Sequence, residues 1–229
     1  MKASSALKIA QFKGHLNATG HSHGIGCDGK TNACMSICYV DRPLKQYPAV
    51  GKALENNLNS LRACKSQKDF YELLKPLVIK SYLQYQRYLM TKADNKEKKR
   101  LIQRGHLFRW NWSGDILNQN HAKAIDQIAE EMPETTFWLY TRTWWAVGSF
   151  KHRENLHVYL SSDKDNRHIM EPLSQQMNRP IADMVLEDEK PKADYVVCPA
   201  TNGKLKSKFA CANCGICYKT KKHVAFLAH

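Results

Sequence analysis

Seven of the eight cysteines in this 229-residue chain fall into two groups whose spacing suits metal ligation. Cys27, Cys34 and Cys38 follow C-x6-C-x3-C inside a loop rich in glycine and histidine, GHLNATGHSHGIGCDGKTNACMSICYV. Three converging thiolates can hold a four-iron cluster and leave one iron without a protein ligand, open to a small molecule. Zinc is the competing metal there, with His21, His23 or His15 as fourth ligand. Cys198, Cys211, Cys214 and Cys217 follow C-x12-C-x2-C-x2-C. The tight C-x2-C-x2-C run is the bacterial ferredoxin pattern, and Cys198 completes four-fold ligation. A structural zinc site also accepts four thiolates and stays open as the alternative. Cys64 sits in a helical pattern and reads as a small core residue.

Composition says where such thiols can operate. No stretch reaches the roughly 18 apolar residues of a membrane span, and the opening MKASSALKIAQFKGH lacks the apolar core and cleavage site of a secretory signal. We therefore expect a cytoplasmic protein without a membrane partner, in which grouped cysteines are metal ligands and not a disulfide framework. A formal net charge of +14 exceeds what solubility requires and points to a polyanion, with nucleic acid or a nucleotide the natural candidate.

The elements that must position these residues follow from periodicity. A short segment, Leu7 to Phe12, reads as the first strand, ahead of the cysteine loop. Apolar spacing predicts helices over about 50–63 and 68–90, with Pro76 marking a kink or break in the second. The run KADNKEKKR at 92–100 reads as a solvated surface turn. From Leu107 strand and helix signals alternate: LFRWNWSGD, a helix over about 118–131 stopped by Pro133, TTFWLYTRT, a short helix or loop at 144–153, LHVYLSSD, IADMVLED, DYVVCP and HVAFLA. Short strands separated by crossovers imply parallel pairing, hence an α/β partial barrel of about six mostly parallel strands. The expected division is a barrel over 1–197 and a small cysteine-rich metal module over 198–229 packed on it.

A three-cysteine loop after the first strand, then a strand ending in Ser113-Gly114-Asp115, resembles the layout of radical S-adenosylmethionine enzymes. More closely, the chain is similar to the phage gene-product-88-like family, through C-x6-C-x3-C-Y, the strand carrying SGD, the later YTR, the strand ending in SSD, and the terminal C-x2-C-x2-C-Y. That similarity extends from about Gly24 onward and is weakest between 50 and 100. The usual radical S-adenosylmethionine spacing is C-x3-C-x2-C; here Cys34 and Cys38 keep C-x3-C and the third cysteine lies upstream at Cys27.

The resemblance implies one or two 4Fe-4S clusters and S-adenosylmethionine as cofactors, a reductant protein as partner, and release of a 5′-deoxyadenosyl radical that abstracts hydrogen from a nucleic acid or nucleotide. It makes Asp115 a carboxylate for the methionine ammonium and Gly114 a point of close backbone approach; SGD also reads as an ordinary strand-to-helix turn with Asp115 as a cap. Tyr39 would stack near adenine, and Ser161, Ser162 and Asp163 would meet ribose hydroxyls. Arg142 would reach substrate phosphate with Trp144 or Trp145 stacking on a base, although both tryptophans also suit core or rim packing. Asn111, between Trp110 and Trp112 on a strand, would face away from both and into the pocket. The basic flank KLKSK at 204–208, with Lys219, Lys221 and Lys222, places positive charge about the second cysteine group. The alternative function is a zinc-dependent nucleic-acid-binding protein or phage accessory protein without catalytic activity.

Overall fold

The computed structural model describes residues 1–3, 9–205 and 209–228. The elements run α1 (Asn32–Ser36), α2 (Asp41–Gln46), α3 (Pro48–Ala63), α4 (Gln67–Thr91), α5 (Asn95–Arg104), β1 (His106–Arg109), α6 (Gln119–Glu131) and β2 (Thr135–Thr141). A 3-10 turn (Trp144–Ser149), β3 (Leu156–Ser162), α7 (Arg167–Met177), β4 (Ile181–Val185), β5 (Val196–Val197), α8 (Ala210–Cys214), α9 (Ile216–Lys219) and β6 (Val224–Leu227) follow. The six strands form one parallel sheet in the order β1-β2-β3-β4-β6-β5, an open half-barrel, as the alternating pattern predicts.

Strand alternation splits the sheet into two faces. Phe108, Phe137, Leu139, Val158 and Leu160 point outward, into a core shared with α4 and α6 through Leu74, Val78, Ile125 and Ile128. The inner face carries Leu107, Trp138, Tyr159, Ala182 and Val224, and the C-terminal segment packs there through Ala212, Ile216, Cys217 and Tyr218. The stretch 198–229 also gives the sheet β6, inserted between β4 and β5. The cysteine-rich segment is thus continuous with the sheet and does not merely rest on it.

Several local expectations need correction. Of the predicted strand over 7–12, residues 7 and 8 lie outside the described residues, and 9–12 form turns and bends. The segment that runs beside β1 is instead Asn17 to His21. Arg109 N donates to the Asn17 carbonyl (2.9 Å), Thr19 N to that of Arg109 (3.1 Å), Trp112 N to that of Thr19 (2.9 Å) and His21 N to that of Ser113 (3.0 Å). Covering the edge of β1 in this way leads the chain directly into the cysteine loop. The predicted surface turn at 92–100 is mostly α5, because the Asp94 side chain accepts from Glu97 N and starts a helix that buries Leu101. Helix α4 runs through Pro76 without a break; that residue is exposed, so the carbonyl it leaves unbonded faces water.

Strand β1 ends at Arg109, short of Ser113-Gly114-Asp115. Asn111 adopts φ 52°, which breaks the alternation. Trp110 consequently joins the outer core while Trp112 packs on the inner face, so the expectation that both tryptophans share a side fails at this residue.

Candidate metal centre

The loop holding Cys27, Cys34 and Cys38 lies across the C-terminal ends of the first three strands. Asp115 N donates to the Gly26 carbonyl (3.2 Å). The Thr31 hydroxyl donates to Asp163 Oδ2 (2.6 Å), and Ala33 N donates to Asp165 Oδ2 (2.8 Å). Gly29 passes so close to β2 that a Cβ there would sit 2.3 Å from the Arg142 carbonyl oxygen, a position only glycine fits. Thr31 also caps α1 by accepting from Cys34 N (3.0 Å), which fixes the second thiol relative to Asp163.

SGD, YTR and SSD, far apart in sequence, meet beneath this loop. Asp115 is buried; its Oδ1 accepts from Ile116 N (2.7 Å) and the Thr141 hydroxyl (2.6 Å), and its Oδ2 from Arg142 N (2.8 Å). The carboxylate thus ties β1 to β2 and caps its own turn, and any ammonium it met would be a fourth partner. Burial pushes its pKa up against those donors. Gly114, at φ 76°, does allow close approach, but to the His21 ring: a Cβ would lie 2.3 Å from it. Arg142 pairs with fully buried Asp163 (Nη2 to Oδ2, 3.0 Å) and lies beside Cys34. Ser162 turns to the outer side and donates to Asp183 (2.6 Å), so Ser161, on the inner face by alternation, is the hydroxyl of SSD that faces the interior.

Trp144 and Trp145 lie past the end of β2, 42% and 40% exposed, edge to face with ring centroids 5.6 Å apart. Neither is a core residue. Asn111 is buried and its Nδ2 has no protein acceptor. Tyr39 is exposed and donates its hydroxyl to the Trp112 carbonyl.

All eight cysteines are free thiols. Burial pushes Cys27 up to about 12, with the Asp115 carboxylate and the other two thiols of its group adding to the effect. Cys34 and Cys38 are raised by burial as well; Arg142 opposes the shift at both. In the second group Cys217 also rises to about 12 through burial, with Cys211 and Cys198 near enough to contribute and the Tyr140 hydroxyl bonded to it. Cys27, Cys34 and Cys38 thus lie near enough to feel one another's charge, as do Cys198, Cys211 and Cys217, although among the described residues neither thiol group brings three sulfurs within 4.8 Å of one another. Of the histidines proposed as zinc ligands, His21 is held by the carbonyls of Asp115 (2.7 Å) and Ser22 (3.3 Å), and His15 is buried against Ser81. His23 differs: its Nε2 is 2.7 Å from Asp41 Oδ1, and ligand atoms of His23, Cys38 and Asp41 lie within 4.8 Å of one another.

Arg109 is the residue that sequence patterning passed over. Its guanidinium lies 4.8 Å from the Tyr140 ring centroid, interacts electrostatically with Tyr39, Cys211 and Cys217, and leaves Nε buried without an acceptor. Tyr39 in turn neighbours Cys38 and Cys27, so one cation stands between the two thiol groups. A lone arginine in LFRW, inward-facing by alternation, was the available signal. Thr31 and Asp41 carried weaker ones. In the KLKSK flank, residues 206–208 lie outside the described residues.

A family model described as gene product 88 matches residues 2–220. Two relatives, each described as Gene 88 protein, come from Mycobacterium phage L5 and Mycobacterium phage D29. Each is 27% identical over 213 residues, covering 89% of this chain and 82% of the relative. No solved structure matches the chain. Among the described residues, no helix is long and apolar enough to cross a membrane.

Proposed function

The chain belongs to the gene product 88 family, and from that premise we propose that it is an iron–sulfur protein of the radical S-adenosylmethionine type acting on a nucleic acid or nucleotide. One observation carries the reading. The loop bearing Cys27, Cys34 and Cys38 is tied to Asp115, Arg142 and Asp163 at the C-terminal ends of β1, β2 and β3, the end where parallel α/β sheets bind ligands.

The donor set fits the group by chemistry: three free thiols near enough to feel one another suit a cluster that keeps one iron open, and the C-terminal four, of which Cys198, Cys211 and Cys217 neighbour one another, suit a closed one. Cys27, Cys34 and Cys38 would hold the open cluster, which would supply reducing power toward S-adenosylmethionine drawn from a reductant protein. This chain's own residues do the rest. Arg109, with no carboxylate in ion-pair range among the described residues, offsets the negative charge that thiolate-bound clusters bring inside. Ser161 offers a hydroxyl to a ribose, Asn111 Nδ2 a donor to a base edge, and Trp144 an exposed ring for stacking. The charge of +14 suits a phosphate-bearing substrate.

A zinc centre is the second reading, favoured by the convergence of His23, Cys38 and Asp41. It goes with the non-catalytic, nucleic-acid-binding function. Anaerobic purification followed by iron, sulfide and zinc analysis separates the two. Iron and sulfide with visible absorption, and 5′-deoxyadenosine formed on reduction with S-adenosylmethionine, are expected for the first reading. Zinc without iron sinks it.

A further inference from the structure

A different part of the molecule carries an inference independent of the cysteines. Two adjoining cavities, about 360 and 330 Å³, open where the chain enters β3, β4 and β6, and share Asn178, Arg179, Pro180 and Lys221. Seven residues of β3 separate this rim from the cysteine loop, about 20 Å of strand. Volumes of this size are those of small-ligand sites.

Of the four cations on the walls, two are paired and two are not. Arg153 is neutralised by Asp126 (2.8 Å) and Glu130 (3.0 Å), and Lys192 by Glu171 (2.5 Å). Arg179 and Lys221 have no carboxylate within ion-pair distance among the described residues, although Glu154 and Asp194 also line the cavities. Arg179 is only 7% exposed; its Nη2 donates to the carbonyls of Phe150 (2.8 Å) and Lys151 (3.0 Å), and Asp126, the carboxylate whose charge reaches it, is bonded to Arg153 and not to Arg179. A buried guanidinium without a counter-ion is costly, and an entering anion would relieve that cost. His152 and His157 stand on the same wall, and the charges of Arg179 and Lys221 hold down the pKa of His152, as burial and then Lys221 do that of His157. Charge on either ring is thus disfavoured while the two cations stand unpaired. In the neighbouring cavity Tyr195 and His223 stack on each other, centroids 4.9 Å apart, beside the shared wall.

We propose that this crevice binds a phosphate-bearing ligand of nucleotide size, with its phosphate on Arg179 and Lys221 and its base toward Tyr195 and His223. The phosphate has two possible sources, a free nucleotide or the end of a nucleic-acid strand. Isothermal titration of the whole protein with inorganic phosphate, adenosine monophosphate, and a short single-stranded oligonucleotide with and without a 5′-phosphate distinguishes them. Saturable binding of the mononucleotide at one site assigns a free nucleotide; binding only of the 5′-phosphorylated strand assigns a strand end. In either case Lys221→Ala, at an exposed position, weakens binding about tenfold, and Arg179→Lys weakens it further. Cys34→Ala leaves the affinity unchanged, which keeps this site separate from the proposed metal centre. No binding by any probe, or an affinity untouched by Lys221→Ala, overturns the proposal.

Discussion

Replacing Asp163 by Asn tests whether the cysteine loop is held where the geometry implies. The wild-type carboxylate is fully buried and receives the Thr31 hydroxyl, the Arg142 guanidinium and the Asp165 amide. Asparagine keeps the shape and removes the charge, so Arg142, 16% exposed, loses its counter-ion. Stranding one member of a buried pair costs about 3–5 kcal/mol; partial exposure of Arg142 places the cost near the lower end, about 3 kcal/mol. With a urea m-value of about 2–3 kcal/mol/M for a chain of this size, the denaturation midpoint should fall by about 1 M. A second readout is local. The Asp163 charge helps burial raise the Cys34 pKa while Arg142 lowers it, so the variant should have a more acidic Cys34 thiol. Iodoacetamide labelling of the metal-free protein at pH 8, read by peptide mass spectrometry, should then run several-fold faster at Cys34 than in wild type. A midpoint shift below about 0.3 M together with unchanged labelling would refute the coupling of this loop to β3.

Other perturbations probe the same frame. Gly29→Ala should cost about 1–3 kcal/mol in urea denaturation, because the added methyl meets the Arg142 carbonyl, backbone that cannot swing aside. Cys27 and Cys217, raised from about 9 to about 12 by burial, favour the folded metal-free protein below pH 9 and lose that contribution as pH climbs toward 12. The metal-free midpoint should therefore decline between pH 9 and 11; a flat profile would contradict the burial of these thiols. Arg109→Leu should make the reduction potential of bound clusters more negative in a spectroelectrochemical titration, and an unchanged potential would remove Arg109 from the electrostatics of either group. In the iron-loaded protein, Cys34→Ala and Cys214→Ala should each lower the iron content without abolishing it, since the two groups are held by different segments.

Much of this arrangement was legible in the residues. Short, largely apolar runs at 135–141, 156–162 and 181–185 identify three strands because each must bury both faces, and the Asn118 cap locates α6. The convergence of SGD, YTR and SSD follows from parallel pairing, which sends every strand's end to one rim. Legibility failed where tertiary contacts override local signal. Asn17 to His21 has no apolar alternation and becomes strand-like only because β1 offers it an open edge. The charged run at 95–100 looks solvated, yet one cap and one buried leucine suffice to make it helical. Arg142 and Asp163 reveal their pairing only in three dimensions; by type alone, each looks available for a ligand.

The insertion of β6 between β4 and β5 sets an order of events in the growing protein. Strand β5 pairs with β6 alone, so it has no neighbour until a later part of the chain arrives. The intervening crossover contains Cys198, Cys211, Cys214 and Cys217, and it closes only as β6 slots in beside β4. The N-terminal thiols are anchored on β1 to β3, so in a chain growing from its N-terminus every strand that supports them precedes the first cysteine of the second group.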